Sequence, residues 1–369
     1  MKTKRFTPFK ISRLDSLGQG VSKVSEKVVF IPKTLVGDEG EAEVRSEKKG
    51  VIFGKIKTLE LKSQDRIEPQ CVHFKDCPSC HYLHASYGHE LSIKKESFEN
   101  LFRKIPLPEV EVVGAPQRLF YRNRVQLHYS LKSKLLGMRD PHTFEITPIP
   151  NCLIGLPEVL SEVKKLYDNN AWIRLAPPKP LEGHIEIYLR EGKIKTSWNK
   201  SYAEGGFTQV YEEMNAQLKK IITNQFSHST IHGLLDLFGG NGNLSQDLSF
   251  KNRLCVDVYS DINPETDDFM DQNLYNEKAL ERIQNKLLKK TDFQLSHLLL
   301  DPPRSGFKDL QKWLMVLKPR FVAYISCDPH TMARDLTGLR DYSFSRSILM
   351  DFFPSTFHFE SIIFLERKE

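Results

Sequence analysis

The sequence lacks long apolar runs and an apolar leader, and both absences exclude classes of protein. Among its 369 residues there is no run of about 18 apolar residues, so we expect no membrane-spanning helix. Residues 1–10 carry charges but no apolar core, so we expect no secretory signal. Cysteine is also scarce, with six in the chain. These features predict a cytoplasmic protein whose cysteines are metal ligands or reactive thiols before disulfides.

Positive charge is in modest excess and unevenly spread. The formal net charge is +6, from 53 Lys and Arg against 47 Asp and Glu. Residues 1–60 hold 13 of the basic and 8 of the acidic side chains, which is most of that excess. Such a segment permits nucleic-acid binding without requiring it. The length exceeds that of one compact core, so we expect two or three domains.

Residues 9–61 contain short β-type segments separated by glycine turns at residues 18–20 and 37–40. Several short strands in so short a span are typical of a small barrel of the OB type. Lysine and arginine are scattered through it, as in modules that follow a phosphate backbone. A β-domain with an ordinary charged surface is the alternative.

Three cysteines, Cys71, Cys77 and Cys80, fall within ten residues. The Cys-x-x-Cys loop lets two thiolates converge on one metal centre, and Cys152 is the nearest downstream fourth ligand. The spacing fits a zinc ion or an iron–sulfur cluster equally, and a chance cluster is the remaining alternative. Four nearby histidines could compete as ligands but are interpreted as surface residues: His73, His81, His84 and His89.

Residues 91–104 predict an amphipathic helix that ends before Pro106. The run Tyr121-Arg122-Asn123-Arg124 then opens a strand pair. An aromatic ring among arginines suits stacking on the bases of RNA. The same composition is common in edge strands, so both interpretations stay open.

From about residue 231 strands alternate with helices, which predicts a doubly wound α/β domain. Residues 234–243 form a strand and a glycine-rich turn, where the backbone can approach a ligand closely. The turn is not the dinucleotide fingerprint, and Asp236 before it resembles the first motif of S-adenosylmethionine-dependent methyltransferases. Asp257, at the end of the next strand, could accept from ribose hydroxyls. A structural glycine loop is the alternative.

Three further residues at strand ends are candidates for chemistry. Asp301 precedes two prolines and Arg304, whereas amine methylation would favour an aromatic residue after the prolines. Cys327 follows an apolar strand, where α/β sheets bind ligands, although many free cysteines are merely buried. Glu360 lies among phenylalanines, which would raise its pKa and its basicity. A turn Asp and an exposed strand Glu are the plainer alternatives.

Together these stretches resemble the RNA uracil-5 methyltransferase family, which makes 5-methyluridine. The matching runs occur in the family's order and cover most of the C-terminal half. They are FTQV (207–210), LDLFGGNGN (235–243), DPPRSG (301–306), SCDPHTMARDL (326–336) and DFFPSTFHFE (351–360).

The resemblance implies three domains. Residues 206–369 would be a Rossmann-like, doubly wound α/β methyltransferase domain. Residues 1–62 would be a TRAM-like, RNA-binding β-barrel of the OB type, and residues 63–205 a central α+β domain with an iron–sulfur site. The four cysteines match the [4Fe–4S] ligands of the ribosomal-RNA branch, so a cluster is favoured over zinc and 23S ribosomal RNA over transfer RNA. We expect a monomer.

The resemblance also assigns roles to residues. Cys327 would add to C6 of uracil to make C5 nucleophilic, with its thiolate favoured by Arg304 or Arg334, and Glu360 would remove the C5 proton. The uridine would be flipped out of its stack. The cluster would be structural, and Cys255 a core residue. The residues expected to hold S-adenosylmethionine are Gln209, Phe238, Asn243, Asp257 and Asp301.

The chain departs from the family pattern at five places. Asp328 stands where Asn is usual, Tyr211 where Asn often occurs, Gly239 where Cys is common, and Asp257 where Glu is more usual. Residues 259–284 lack the usual Asn-Ala repeat, so no adenine contact is assigned there. Three rivals remain. They are a cytosine-5 methyltransferase, which typically carries Pro-Cys instead of this Asp-Pro-Pro-Arg, the same chemistry on transfer RNA, and a non-catalytic RNA-binding protein on this scaffold.

Overall fold

The computed structural model of the chain describes residues 5–200, 209–226, 233–258, 268–290 and 293–369. The β-strands are β1 Phe6–Lys10, β2 Arg13–Leu14, β3 Gln19–Val24, β4 Lys27–Pro32, β5 Glu39–Lys48, β6 Val51–Leu61, β7 Val110–Val113, β8 Arg124–Ser130, β9 Leu135–Arg139, β10 Ile146–Thr147, β11 Glu182–Arg190, β12 Lys193–Trp198, β13 Gly233–Leu237, β14 Asn252–Asp257, β15 Phe269–Asp271, β16 Leu295–Leu300, β17 Phe321–Ser326, β18 Tyr342–Met350 and β19 Glu360–Arg367. The α-helices are α1 Tyr87–Phe102, α2 Pro157–Tyr167, α3 Ala171–Leu175, α4 Glu212–Phe226, α5 Ala279–Lys289, α6 Leu310–Leu317 and α7 Pro329–Leu336.

The chain divides into two compact units. The first comprises residues 1–97, 117–203 and 353–358, and the second comprises residues 98–116, 204–352 and 359–369. The first unit contains two separate sheets, one before and one after the cysteine-rich segment. The predicted boundary at residues 205 and 206 lies outside the described residues, and the three-domain division stays a prediction.

The first sheet of the first unit has six strands in the order β1-β5-β6-β4-β3-β2. All pairs are antiparallel except β4 with β6. Strand β1 alternates exposed and buried residues, as expected of a sheet with one wet face. The Lys10 N–H at the end of β1 donates to the Ser22 hydroxyl of β3 at 3.1 Å, which brings the two ends of the sheet together. The sheet therefore curls around a small core that includes Phe9, Ile31 and Ala42.

The second sheet of this unit is antiparallel throughout, in the order β10-β9-β8-β11-β12. Helix α2 covers it with Val159 and Val163, which are both fully buried. Pro157 begins this helix, where the missing N–H costs nothing. The predicted amphipathic helix is α1, which begins four residues earlier than predicted because the Ser86 hydroxyl accepts the His89 N–H at 3.3 Å.

The second unit is built on an eight-stranded sheet in the order β15-β14-β13-β16-β17-β19-β18-β7. The first five strands in this order, β15, β14, β13, β16 and β17, are parallel. Strand β19 runs antiparallel to both of its neighbours, β17 and β18. All five residues of the central strand β13 are buried, as expected of a strand covered on both faces. The predicted α/β class is confirmed for this unit, and a β-rich region precedes it.

No helix in the described ranges is both long enough and apolar enough to cross a membrane.

Candidate active site

One edge of the second unit's sheet collects most of the residues predicted to act in chemistry. Asp257 ends β14, Asp301 follows β16 and Cys327 follows β17, so all three lie at the carboxyl edge of parallel strands. Glu360 reaches the same edge because β19 is antiparallel, with Ser326 paired to Ser361. The sheet order therefore brings together residues that are up to about a hundred positions apart in sequence.

The glycine turn after β13 is tightly packed against β14. The Gly240 N–H donates to Asp257 Oδ2 at 2.8 Å, so this carboxylate at the end of β14 fixes the turn. A Cβ on Gly239 would lie 2.4 Å from Asp236 Oδ2 and 2.6 Å from Cys255 Sγ. Real Cβ contacts are essentially never so short, so only glycine fits here. Cys255 is buried, as predicted, and its sulfur lies in the space that a side chain at position 239 would need.

An aromatic wall stands beside this turn. Phe238 has φ +61° and packs against Tyr275 and Phe307, with ring centroids 5.6 and 5.3 Å away. The Tyr275 hydroxyl donates to the Gly306 carbonyl at 3.0 Å. Tyr275 lies in the stretch where the sequence assigned no contact. The sequence offered only an isolated aromatic residue as a signal, and such a residue more often belongs to a core than to a binding site.

Asn243 is paired with a residue that the sequence did not single out. Its side-chain amide exchanges two hydrogen bonds with Asn215 of α4, at 3.0 and 3.1 Å. The pair fixes both amide groups and joins the glycine turn to α4. Gln209 is described and half-buried just before α4, whereas Phe207 and Thr208 of the same motif lie outside the described residues.

Two carboxyl groups at this edge hold their protons unusually strongly. Burial raises the pKa of Asp236 to about 7, with the nearby Asp257 charge adding to the effect. Burial and the charges of Asp236 and Asp257 raise the pKa of Asp301 to about 7. Clusters of acids with raised pKa values at a strand edge are typical of functional sites. A cationic ligand here would be attracted by their ionised forms.

Cys327 is half-buried, with an acid and a cation as neighbours. Burial and the Glu360 charge raise the pKa of this thiol to about 12, whereas the adjacent Arg304 guanidinium favours the thiolate. Arg334, the other arginine considered, forms an ion pair with Asp335 at 2.6 Å. Arg304 is therefore the cation that acts on the thiol.

Glu360 is only 4% exposed, and its Oε2 atom accepts no hydrogen bond from any residue the structure describes. Burial, reinforced by the Asp301 charge, raises its pKa well above the ordinary value, while Arg304 opposes the shift. A carboxyl group with a free oxygen and a raised pKa is suited to accept a proton. Cys327 and Glu360 thus place a thiol and a carboxyl group, both with raised pKa values, in one shielded site.

Asp328 explains how one family departure is tolerated. Its Oδ1 atom accepts the N–H groups of His330 and Thr331 at 3.0 and 3.2 Å, and so caps helix α7. An asparagine would offer the same oxygen, because both residues are good helix caps. The change from Asn to Asp therefore keeps the geometry of the turn that carries Cys327.

The four predicted metal-ligand cysteines lie in the first unit and line one cavity of about 240 Å³. Burial raises the pKa of the Cys80 thiol, and the charges of Cys77 and Cys152 add to this shift. The neighbouring Cys71 and Cys152 thiols also have raised pKa values through burial. Among the described side chains, no three His, Cys, Asp or Glu residues are arranged to hold a metal ion. The metal site therefore stays a prediction.

Three cations lie at this cavity: Arg122 and Arg139 line it, and Lys33 contacts two of its lining residues. The Lys33 ammonium group donates to the carbonyls of Phe74 and Cys77, the latter at 2.7 Å. The Cys77 and Cys80 charges favour its protonated form, whereas burial lowers its pKa. The Arg122 guanidinium donates to the Tyr121 hydroxyl at 3.3 Å and lines the same cavity. Negative charge in the cavity would thus have cationic partners close by.

Two sequence interpretations in this unit are wrong. His84 is fully buried, with its ring 5.2 Å from that of Phe74, and burial lowers its pKa to about 3, so it is no surface histidine. Tyr121 is 2% exposed, and Arg124 is buried beside Glu186 at 3.7 Å. These two side chains cannot stack on RNA, because the core of the unit packs around them.

Comparison with known proteins adds three findings. Residues 264–368 match the family model described as tRNA (Uracil-5-)-methyltransferase. A Shewanella woodyi protein named 23S rRNA (uracil(1939)-C(5))-methyltransferase is 27% identical, covering 96% of this chain and 95% of its own. A Vibrio campbellii protein of that name is 26% identical, covering 99% and 97%.

A solved structure has the same fold. The Pyrococcus abyssi tRNA (uracil-54, C5)-methyltransferase, in complex with S-adenosyl-L-homocysteine, superposes with a TM-score of 0.69. The two chains are 19% identical, and the match covers 97% of this chain and 99% of the other. The whole length described above therefore follows one known architecture.

Proposed function

We propose that this chain, which belongs to the RNA uracil-5 methyltransferase family, transfers the methyl group of S-adenosylmethionine to C5 of a uridine in 23S ribosomal RNA. The observation that carries the proposal is the pairing of Cys327 with Glu360 beside Arg304 at the carboxyl edge of the sheet. Ribosomal RNA is favoured because full-length relatives are named for it. Transfer RNA is the alternative, since the family model and the solved structure are named for that substrate.

The residues around the glycine turn fit the cofactor. S-adenosylmethionine supplies an electrophilic methyl group on a positively charged sulfur. Asp257 stands where ribose hydroxyls are usually bound, and Phe238 with Tyr275 offers flat surfaces for a purine ring. Asp301, Gln209 and Asn243 are the other residues proposed to hold the cofactor. The buried carboxyl groups would ionise next to a cation and so favour a positively charged ligand.

Cys327 would act first, as a thiolate stabilised by Arg304. Its sulfur would form a bond to C6 of the uracil ring, and the C5–C6 double-bond electrons would move onto C5 and the neighbouring carbonyl. C5 would then take the methyl group as the bond from that group to the cofactor sulfur breaks, with S-adenosylhomocysteine as the leaving group. Glu360 would accept the C5 proton, the C6–S bond would break, and Cys327 would leave as the thiolate it began as. The uridine would be flipped out of its stack to expose its ring face.

We further propose that Cys71, Cys77, Cys80 and Cys152 hold a [4Fe–4S] cluster. The donor set fits, because four thiols share one cavity and Lys33 and Arg122 border it to offset the cluster's negative charge. Zinc is the alternative, because four thiolates are also a donor set for tetrahedral zinc. The cluster would stabilise this segment, since uracil methylation requires no electron transfer.

The curled N-terminal sheet is proposed to bind RNA as a TRAM-like barrel, over residues 1–62. Residues 63–205 would form the central domain and residues 206–369 the methyltransferase domain. Lysine and arginine exceed acidic residues in the first of these regions. Removal of the basic side chains should reduce RNA affinity in a salt-dependent way without changing the affinity for S-adenosylhomocysteine.

One experiment decides the activity and the substrate together. Ribosomal and transfer RNA from cells with and without the gene would be digested, and 5-methyluridine mapped by mass spectrometry. We expect loss at one or two positions of 23S ribosomal RNA, restored by the wild-type gene and not by a Cys327→Ala gene. Loss in transfer RNA alone would move the substrate to the alternative. No loss anywhere would favour a non-catalytic RNA-binding protein.

A further inference from the structure

The loop at residues 353–358 leads into strand β19, and Glu360 is the first residue of that strand. Ser355, in the middle of the loop, has φ +70°, a left-handed conformation that favours glycine. A strained residue of this kind persists only where its surroundings fix it, and such residues concentrate at functional sites. The contacts that fix Ser355 therefore bear on where the proposed base lies.

Glu90 of helix α1 makes the shortest of these contacts. Its Oε1 atom accepts the Ser355 N–H at 2.6 Å. Glu90 is fully buried and forms ion pairs with Lys94 at 2.8 Å and with Arg118 at 2.7 Å. Lys94 also donates to the Phe353 carbonyl at 3.3 Å, so two members of this buried network hold the same loop.

The other side of the Ser355 peptide is held by the segment that follows Cys80. The N–H groups of His81 and Tyr82 both donate to the Ser355 carbonyl, at 2.7 and 3.1 Å. The Tyr121 hydroxyl reaches the Pro354 carbonyl at 3.3 Å. Each of three consecutive loop residues thus has a partner outside the loop, which is far more than a connecting turn requires.

Helix α1 also contacts the residue that joins the loop to Glu360. The ring of Phe98, two turns beyond Glu90, lies 6.3 Å from the ring of Phe359. Phe98 therefore packs against the residue that directly precedes Glu360. A purely stabilising role would not need a buried charged network, because apolar packing often serves as well as a buried ion pair.

We propose that Glu90 is a positioning residue for Glu360. By accepting the Ser355 N–H it fixes the strained loop and so the point at which β19 begins, which sets the position of the Glu360 carboxyl group relative to C5 of the substrate. The inference rests on the proposed function, in which Glu360 removes the C5 proton. Glu90 itself touches neither substrate nor cofactor.

The test separates addition of Cys327 from removal of the proton. Purified full-length Glu90→Gln protein would be mixed with S-adenosylmethionine and a 23S ribosomal RNA fragment containing the mapped uridine. Denaturing gels would follow the covalent protein–RNA adduct, and a thermal melt would report stability. We expect adduct to form within about twofold of the wild-type rate, while its release slows by about 10- to 100-fold, the scale of a small misplacement of a catalytic group.

Asp38→Asn is the matched control. Asp38 is also a fully buried carboxylate, and it accepts the Leu35 and Ser63 N–H groups while forming an ion pair with Arg66 at 2.7 Å. These partners all lie outside the loop before Glu360. This variant should lower the melting temperature to a similar extent and leave adduct release at the wild-type rate. Equal slowing of release in both variants would overturn the proposal.

If Glu90→Gln does not fold, the double variant Glu90→Gln/Lys94→Met removes the buried charge and its partner together. It should fold better and still accumulate adduct, and normal release by this variant would also overturn the proposal.

Glu360→Gln serves as the reference for the proposed function. Should it release product at the wild-type rate, Glu360 is not the base and the proposed function fails at that step, independently of Glu90.

Discussion

Cys327 and Glu360 are neighbours because β17 and β19 run antiparallel and end their pairing at Ser326 and Ser361. Cys327, which follows β17, therefore lies beside Glu360, the first residue of β19. The charge of Glu360 raises the pKa of Cys327, and Arg304 opposes the upward shift on both groups. Burial therefore favours the protonated form of both groups in the ligand-free chain, and the pair shares one cation.

Two substitutions should separate the addition of Cys327 to C6 from the removal of the C5 proton. Cys327→Ala should bind RNA and S-adenosylhomocysteine with wild-type affinity and form neither adduct nor product, because no group remains to add to C6. Glu360→Gln should form adduct and release it at least about 100-fold more slowly, as is usual for loss of a general base. Turnover by the first variant would exclude covalent catalysis.

Arg304 and Arg334 offer a matched pair of variants for the thiol. Arg304→Gln should raise the pKa of Cys327 further, because it removes the cation that favours the thiolate. Alkylation by iodoacetamide, measured against pH, should shift to higher pH. Arg334→Gln should leave the profile unchanged, since Arg334 is paired with Asp335. Cys327→Ala corrects for labelling elsewhere, and an unchanged profile in Arg304→Gln would remove Arg304 from this role.

The raised pKa values of Asp236 and Asp301 predict how pH acts on the cofactor site. Each group has a pKa of about 7 when folded, against 3.8 ordinarily, so the folded chain binds more protons between these values. The free energy of unfolding should therefore fall as pH rises from about 4 to 7, and level off above. Affinity for S-adenosylmethionine should increase over about pH 6 to 8, because ionised carboxylates attract its positive charge.

Calorimetric titration at several pH values would check this dependence. Asp301→Asn should bind the cofactor more weakly and show a flatter pH profile, because it cannot gain the charge. Asp247→Asn is a suitable control, since Asp247 lies at the surface in an ion pair with Lys219 at 2.7 Å. An affinity that decreases with rising pH in the wild-type protein would contradict the assignment.

The sequence predicted those site residues that stand at strand ends and missed those held by long-range contacts. Cys327, Asp301 and Asp257 each follow an apolar strand, and topology alone brings such positions to one edge. Glu90 and Ser355 are 265 positions apart, and no local pattern joins them. The α/β class followed from alternating elements in the same way.

Burial was the hardest property to predict for polar residues near the cysteines. His84 occurs in a charged stretch and Tyr121 at the start of a predicted strand beside arginines, and both compositions suggest exposure. Both are enclosed because two sheets and a cysteine-rich segment pack into one unit, which is a tertiary effect. The mutual hydrogen bonds of Asn215 and Asn243 were missed for a similar reason, because one of the pair lies in a helix with an ordinary amphipathic pattern.

Gly239→Ala should impair the glycine turn. The new Cβ would meet Asp236 Oδ2 and Cys255 Sγ at 2.4 and 2.6 Å, so the turn must move. We expect a loss of about 1–3 kcal/mol in unfolding free energy, the usual cost of overpacking, together with weaker cofactor binding. Gly88→Ala on helix α1, where no described neighbour lies within 4 Å of the new Cβ, should be neutral or stabilising.

A double variant tests whether Cys255 occupies the space that a side chain at position 239 would need. Gly239→Ala/Cys255→Ala should recover part of the lost stability, because one of the two clashing atoms is gone. Urea unfolding of the single and double variants measures the coupling directly. Strict additivity of the two substitutions would show that Cys255 and the turn do not share this space.

The proposed cluster in the cysteine cavity predicts an iron and sulfide content that can be measured without an activity assay. Protein purified without oxygen should contain about four iron and four sulfide per chain, as four thiolate ligands to a cubic cluster require. Cys80→Ser should lose most of both, because Cys80 is a buried member of the set. Cys255→Ser should retain the full content, since Cys255 lies in the other unit against the glycine turn.

Lys33→Met should load the cluster but lose it faster to a chelator, because the cation that holds the Cys77 carbonyl is removed. Stoichiometric zinc with no sulfide would replace the cluster by a structural metal ion, and iron loss from Cys255→Ser as well would mean that the four cysteines are not the ligands.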